Sequence, residues 1–126
     1  MTRRVRVVVA EDELLIALAL EAALVDLGYE VAAIAATAED AVAAAVRHNV
    51  ELALVDVRLA EGSDGLWAAQ RLVRSYGIPV IVCSACTRPA DALATGASAF
   101  LAKPYTAAQL RHALEAVSPL LQRELR

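Results

Sequence analysis

Aromatic residues are scarce. They make up 4% of the 126 residues, with one Trp and one Phe, so a core built from this chain must be aliphatic. Material for it is plentiful: 59% of residues are apolar and 21% charged, which excludes a disordered chain and fits one compact domain over residues 1–126. A strong excess of either charge is also lacking, and a net charge of −3 gives no basic footprint for nucleic acid. No apolar run reaches the length of a membrane span. After the basic start Met1-Thr2-Arg3-Arg4, only Val5 and Val7 to Ala10 precede Glu11-Asp12-Glu13, too little for a secretory signal. The chain therefore reads as soluble and cytoplasmic, with Cys83 and Cys86 as reduced thiols. It shows no linker, repeat or low-complexity segment.

What is present is an alternation. Apolar, strand-like runs cover Arg4 to Ala10, Glu30 to Ala35, Glu51 to Asp56, Ile78 to Cys83 and Ser98 to Ala102. Between them lie helical spacings. The first places Ile16, Leu20, Ala23, Leu24 and Leu27 on one face and closes at Gly28. The second opens at Thr37, with Glu39 and Asp40 in its first turn, and faces Val42, Ala45 and Val46 inward. The third is capped by Ser63, faces Leu66, Ala69, Val73 and Tyr76 inward, and stops at Gly77. The fourth, Thr87 to Thr95, is short. The fifth opens on the capping box Thr106-Ala107-Ala108-Gln109, carries Leu110, Leu114, Val117 and Leu121 on one face, and is expected to break or kink at Pro119. Strands alternating with helices imply a parallel sheet covered on both faces, an α/β doubly wound domain with right-handed crossovers.

In such a sheet the reactive groups collect at the carboxyl ends of the strands. Here those ends supply Glu11 and Asp12, Asp56, Ser84 and Lys103. Three carboxylates at one rim repel one another unless a cation joins them, and a small set of hard oxygen donors suits Mg²⁺ better than zinc. With a metal to orient a phosphoryl group, Asp56, alone on its strand tip, is the best-placed nucleophile, and Ser84 and Lys103 are placed to hold the other phosphoryl oxygens.

The segments VVVAEDE, ALVDVRL, VIVCSA and FLAKPY together resemble the receiver domain of two-component response regulators, of the stand-alone, chemotaxis-regulator type, over essentially the whole chain. The resemblance implies a flavodoxin-like (βα)5 fold with strand order 2-1-3-4-5. It implies that Asp56 takes a phosphoryl group from the phosphohistidine of a histidine kinase or phosphotransfer protein. Asp12 would hold Mg²⁺ directly and Glu11 through water, with the backbone carbonyl of Arg58 a further ligand. Ala85 would offer its amide to the phosphoryl group, Phe100 would be the switch residue, and the Lys103-Pro104 bond would be cis. The signal would leave through a downstream protein partner or a homodimer, and the chain would turn over no external substrate. Pro119 and the charged end Gln122 to Arg126 also fit the start of a linker. The interval from Ser84 to Lys103 is about one helical turn shorter than this family's pattern, so the fourth helix is expected to be shortened.

Other readings exist for each feature. Glu11-Asp12-Glu13 also suits a helix start without any metal. Cys83 and Cys86 form a C-x-x-C that in another setting marks a redox pair; here Cys83 belongs to a buried strand and reads as core packing, and Cys86 falls near the phosphoryl pocket. A hydrolase of the dehalogenase-like kind, working through an aspartyl phosphate, would want an acid two residues beyond the nucleophile, where this chain has Arg58. The Arg58 side chain can reach across the mouth of the pocket. His48 and His112 read as surface residues, and Trp67 as half-exposed on the third helix.

Overall fold

The computed structural model describes residues 3–124, with the side chains of residues 122–124 left aside. Met1 and Thr2 at the start, and Leu125 and Arg126 in the segment read as the start of a linker, lie outside it. The chain runs β1 (Arg6–Ala10), α1 (Leu14–Asp26), β2 (Glu30–Ala35), α2 (Ala38–Arg47), β3 (Leu52–Asp56), a 3₁₀ turn (Ala60–Gly62), α3 (Gly65–Tyr76), β4 (Val80–Ser84), α4 (Pro89–Leu93), β5 (Ala99–Ala102) and α5 (Ala107–Glu124). All five strands are parallel, in the order β2-β1-β3-β4-β5, as expected. Parallel strands buried on both faces need continuous apolar runs rather than alternation, and Val7, Val8, Val9, Val80 and Val82 are all wholly inaccessible to solvent.

Each face of the sheet has its own core. On one, Val8, Ala53, Val55, Val80 and Val82 meet α2, α3 and α4 through small residues, among them Ala41, Ala45, Ala68, Ala69 and Ala92. On the other, Val7, Val9, Leu54, Ile81 and Leu101 meet α1 and α5 through Leu24, Leu114, Val117 and Leu121. The alanine-rich helices approach the sheet closely, which is how an aromatic-poor chain fills its interior.

The caps fall partly as expected. Thr37 Oγ1 accepts from the Asp40 amide at 3.1 Å, and Thr106 and Gln109 exchange the two bonds of a capping box at 3.1 and 2.8 Å. Ser63 does not cap α3: Asp64 does, its Oδ1 accepting from the Leu66 amide at 2.9 Å. Ser63 instead donates to the Ala60 carbonyl and accepts from the Ala38 amide, tying the loop after β3 to the start of α2. β4 begins at Val80, two residues later than read, because Pro79 has no amide to give to a ladder.

Three helices differ more. α5 runs unbroken through Pro119, because that residue and Glu115, whose carbonyl loses its usual donor, both sit on the solvent side while Val117 and Leu121 stay buried. On α1 the residues buried are Ala17, Leu20 and Leu24; Ile16 and Leu27 are largely exposed, as are Leu14 and Leu15. A helix that is apolar all round offers no periodicity from which to choose its inward face. On α3 Leu72 takes a core place and Tyr76 does not.

Candidate functional site

Strand register builds the rim. Ala10 pairs with Val55, so the next residues, Glu11 and Asp56, stand level at the ends of β1 and β3. Asp56 pairs with Cys83, which puts Ser84 one residue further on at the end of β4, and Ser84 pairs with Ala102, so that Lys103 follows at the end of β5. The Lys103–Pro104 peptide is cis.

One lysine joins two strand tips. Lys103 Nζ lies 2.7 Å from Glu11 Oε1 and 2.7 Å from Asp56 Oδ2. Asp56 Oδ1 also accepts from the Arg58 amide at 3.4 Å, and Glu11 Oε2 from the Glu13 amide at 3.2 Å. Glu11 is only 6% exposed. Burial pushes its carboxyl above the usual range, the bonds from Lys103 and Glu13 pull it back in part, and the charge of Asp56 adds to the rise. For Lys103 burial alone would favour the neutral amine. Its hydrogen bonds to Asp56 and Glu11 outweigh that, and its pKa lies above the ordinary lysine value.

Asp12 completes the acidic set. Glu11, Asp12 and Asp56 each offer a carboxylate oxygen, and the three oxygens lie within 4.8 Å of one another. An all-oxygen group of this charge, part buried and part open, fits a hard divalent cation such as Mg²⁺.

The position of Asp56 is fixed from behind. The Gly65 amide donates to the Val57 carbonyl at 2.8 Å, and a Cβ at position 65 would stand 1.9 Å from the Asp56 carbonyl oxygen. The first residue of α3 must therefore be glycine for the helix to abut the end of β3. The sequence reading missed this role, although Gly65 stands directly after the cap Asp64.

The remaining expected residues are placed less uniformly. Ala85 is exposed at the start of the loop after β4. Phe100 is half-buried against the core that carries α2, α3 and α4. The Ser84 hydroxyl is buried and engaged within its own loop: it donates to Thr87 Oγ1 at 2.9 Å and accepts from the Cys86 and Thr87 amides at 3.2 and 3.0 Å. Thr87 and Tyr105 were both missed from sequence. Tyr105 lines the crevice between Glu11, Asp56, Cys83 and Lys103, and burial pushes its phenol up to about 12.

Cys83 is buried, and desolvation raises its thiol to about 12, while Cys86 is exposed beyond Ser84. A thiol so hard to ionise is no redox nucleophile; Cys83 packs in the core, as expected. Trp67 is half-exposed on α3. No helix among the described residues is long and apolar enough to cross a membrane.

The doubly wound parallel sheet in the order β2-β1-β3-β4-β5 is the fold the sequence resemblance called for. The family model for the response regulator receiver domain matches residues 7–115, and the chain belongs to that family of two-component signalling modules. It is 34% identical over 116 residues to the transcriptional regulatory protein PdtaR of Mycobacterium tuberculosis, a match spanning 87% of this chain and 55% of that protein. To the phyllosphere-induced regulator PhyR of Methylorubrum extorquens it is 40% identical over 80 residues, 63% of this chain and 30% of that protein. The chain thus spans about half the length, or less, of these curated relatives. Among solved structures, the receiver domain of the Erythrobacter litoralis response regulator PhyR superposes with a TM-score of 0.79 at 30% identity over 91% of each chain.

Proposed function

We propose that Asp56 is the phosphoacceptor of this receiver and that its donor is a phosphohistidine on a histidine kinase or phosphotransfer protein. The observation that carries the proposal is the pair of 2.7 Å bonds by which Lys103 joins Asp56 to Glu11, with Asp12 completing the acidic group. An Asp56 carboxylate oxygen attacks phosphorus; the O–P bond forms as the P–N bond of the donor breaks, and the freed imidazole takes up a proton. Asp12 and Asp56, the Arg58 carbonyl and, through water, Glu11 would hold Mg²⁺, which when bound would supply charge neutralisation for the transferring group. Lys103 exchanges its bond to Asp56 for one to a phosphoryl oxygen, the Ala85 amide donates to another, and the Ser84 hydroxyl turns to a third.

The output is a change in binding surface rather than turnover of an external substrate. Phosphorylation draws the loop after β4 toward Asp56, and Phe100 follows into the space this leaves. A downstream protein, a second copy of the chain, or another phosphotransfer protein then reads the changed face. Neither a dehalogenase-like hydrolase nor a thiol-redox module finds support: the position two residues past Asp56 is Arg58, and Cys83 is a buried core thiol.

Incubation with Mg²⁺ and acetyl phosphate, followed by intact-mass measurement, tests the proposal. One added phosphoryl group is expected, lost when Mg²⁺ is chelated. A folded protein that gains no mass contradicts it, and steady release of product from many small phosphate esters supports the hydrolase.

A further inference from the structure

In the loop after β4, Ser84 has a neighbouring hydroxyl, that of Thr87, as a hydrogen-bond partner. A serine hydroxyl has one proton to give and two lone pairs to accept with. Here all three are in use. The amides of Cys86 and Thr87 both point at Ser84 Oγ, at 3.2 and 3.0 Å, which leaves the Ser84 proton directed to Thr87 Oγ1 at 2.9 Å. Ser84 is 5% exposed, so no bulk water replaces these partners. In the phosphorylated state proposed above, Ser84 gives its single proton to a phosphoryl oxygen, and it cannot do so while Thr87 holds it.

We infer that Thr87 is a positioning residue: it latches Ser84 in the resting state, and exchange of this one hydroxyl proton couples Asp56 to α4. Thr87 stands immediately before Arg88, the N-cap of α4, and Pro89, its first residue. Losing the Ser84 bond releases the lead-in to that helix. α4 has only five residues, Pro89–Leu93, so this lead-in is a large part of the segment that must respond. A latch of this kind sets the resting population: whatever strengthens it favours the unphosphorylated arrangement, and whatever removes it moves the equilibrium the other way.

The inference rests on the receiver reading, and the experiment separates the two. Affinity for beryllofluoride, a phosphoryl mimic, is measured with Mg²⁺ by titration calorimetry for the wild type, Thr87→Val, Thr87→Ser, Ser84→Ala and the Ser84→Ala/Thr87→Val double variant. Thr87→Val keeps the shape and removes the acceptor, and is expected to bind about two- to tenfold more tightly, the effect of one neutral hydrogen bond. Thr87→Ser keeps the hydroxyl and matches the wild type. In the Ser84→Ala background Thr87→Val has no further effect, since the proton it competes for is gone. In the absence of ligand, the NMR amide signals of residues 88–91 in Thr87→Val shift part way toward their beryllofluoride-bound positions, which a merely structural threonine would not cause. Unchanged or weaker binding by a folded Thr87→Val overturns the latch. A folded wild type that binds no beryllofluoride overturns the receiver reading, and the latch with it.

Discussion

The rim at β1, β3 and β5 and the segment after β4 lie at the same end of one sheet but are built in opposite ways. At the rim, Glu11 and Asp56 stand on paired central strands, Lys103 bridges them with two short ionic bonds, and Gly65 lets α3 press against the strand end. The second oxygens of Asp56 and Glu11 are held as well, by the Arg58 and Glu13 amides. From Ala85 to Ala94 the chain forms a four-residue loop and a one-turn helix; Ala85 and Cys86 are exposed, and the ion pair of Arg88 with Asp91 lies on the surface. Its principal internal tie is the Ser84–Thr87 set, made of neutral groups. The difference teaches where each task can live. Transfer of a phosphoryl group needs fixed charges, and relaying the outcome needs an element whose two arrangements differ by little free energy.

Substitutions on the two sides should have very different consequences. The largest effect is expected from Asp56→Asn, which removes the phosphoryl adduct altogether by intact mass, whereas no single change from Ala85 to Ala94 does more than alter the rate of its gain or loss. Gly65→Ala comes next. A methyl at 1.9 Å from a backbone oxygen cannot be accommodated without moving α3, and overpacking of this kind lowers unfolding free energy in urea by about 3 kcal/mol.

Lys103→Ala should cost about 1–3 kcal/mol at neutral pH, since it leaves Glu11 and Asp56 facing each other without a counter-charge. Its pH dependence follows from Glu11. Burial already raises that carboxyl, so its contribution is favourable below the ordinary glutamate pKa and is lost as pH rises through the folded value. Without Lys103 the rise is greater, and the variant loses more stability than the wild type between pH 4 and pH 7, as read by melting temperature. At the alkaline end, Cys83 and Tyr105 have folded values of about 12 against ordinary values of 9.0 and 10.0. Their stabilisation is complete below those ordinary values and is lost as pH climbs toward 12. Tyr105→Phe should flatten the melting curve above pH 10. The smallest effect is expected at the surface: Arg88→Ala, which deletes an exposed ion pair, should leave the melting temperature unchanged.

Much of the rim was legible in the sequence, because strand tips in a parallel sheet are marked by where an apolar run stops. Glu11, Asp56 and Lys103 each end such a run, and register does the rest. The short α4 was legible from the Ser84 to Lys103 interval set against the pattern of the family the chain resembles. What was not legible depended on contacts rather than pattern. The helix α1 is apolar on nearly every side, so Ile16 and Leu27, expected inward beside Leu20 and Leu24, could not be told from the buried positions. Ser63 and Asp64 are adjacent and equally good caps by type, and only the loop's tie to Ala38 decides that Asp64 takes the role. Thr87 sits three residues past Ser84, a spacing at which hydroxyls often bond locally, but which of its partners the Ser84 proton chooses is a matter of geometry.

The most direct measurement is to locate the phosphoryl group. After exposure to Mg²⁺ and acetyl phosphate, borohydride reduction converts an aspartyl phosphate to homoserine, and peptide mass mapping finds the changed residue. Conversion at position 56, with Asp12 and Asp64 untouched, is the predicted result; conversion at another acid, or none in a folded protein that binds Mg²⁺, would contradict the assignment of Asp56 as phosphoacceptor.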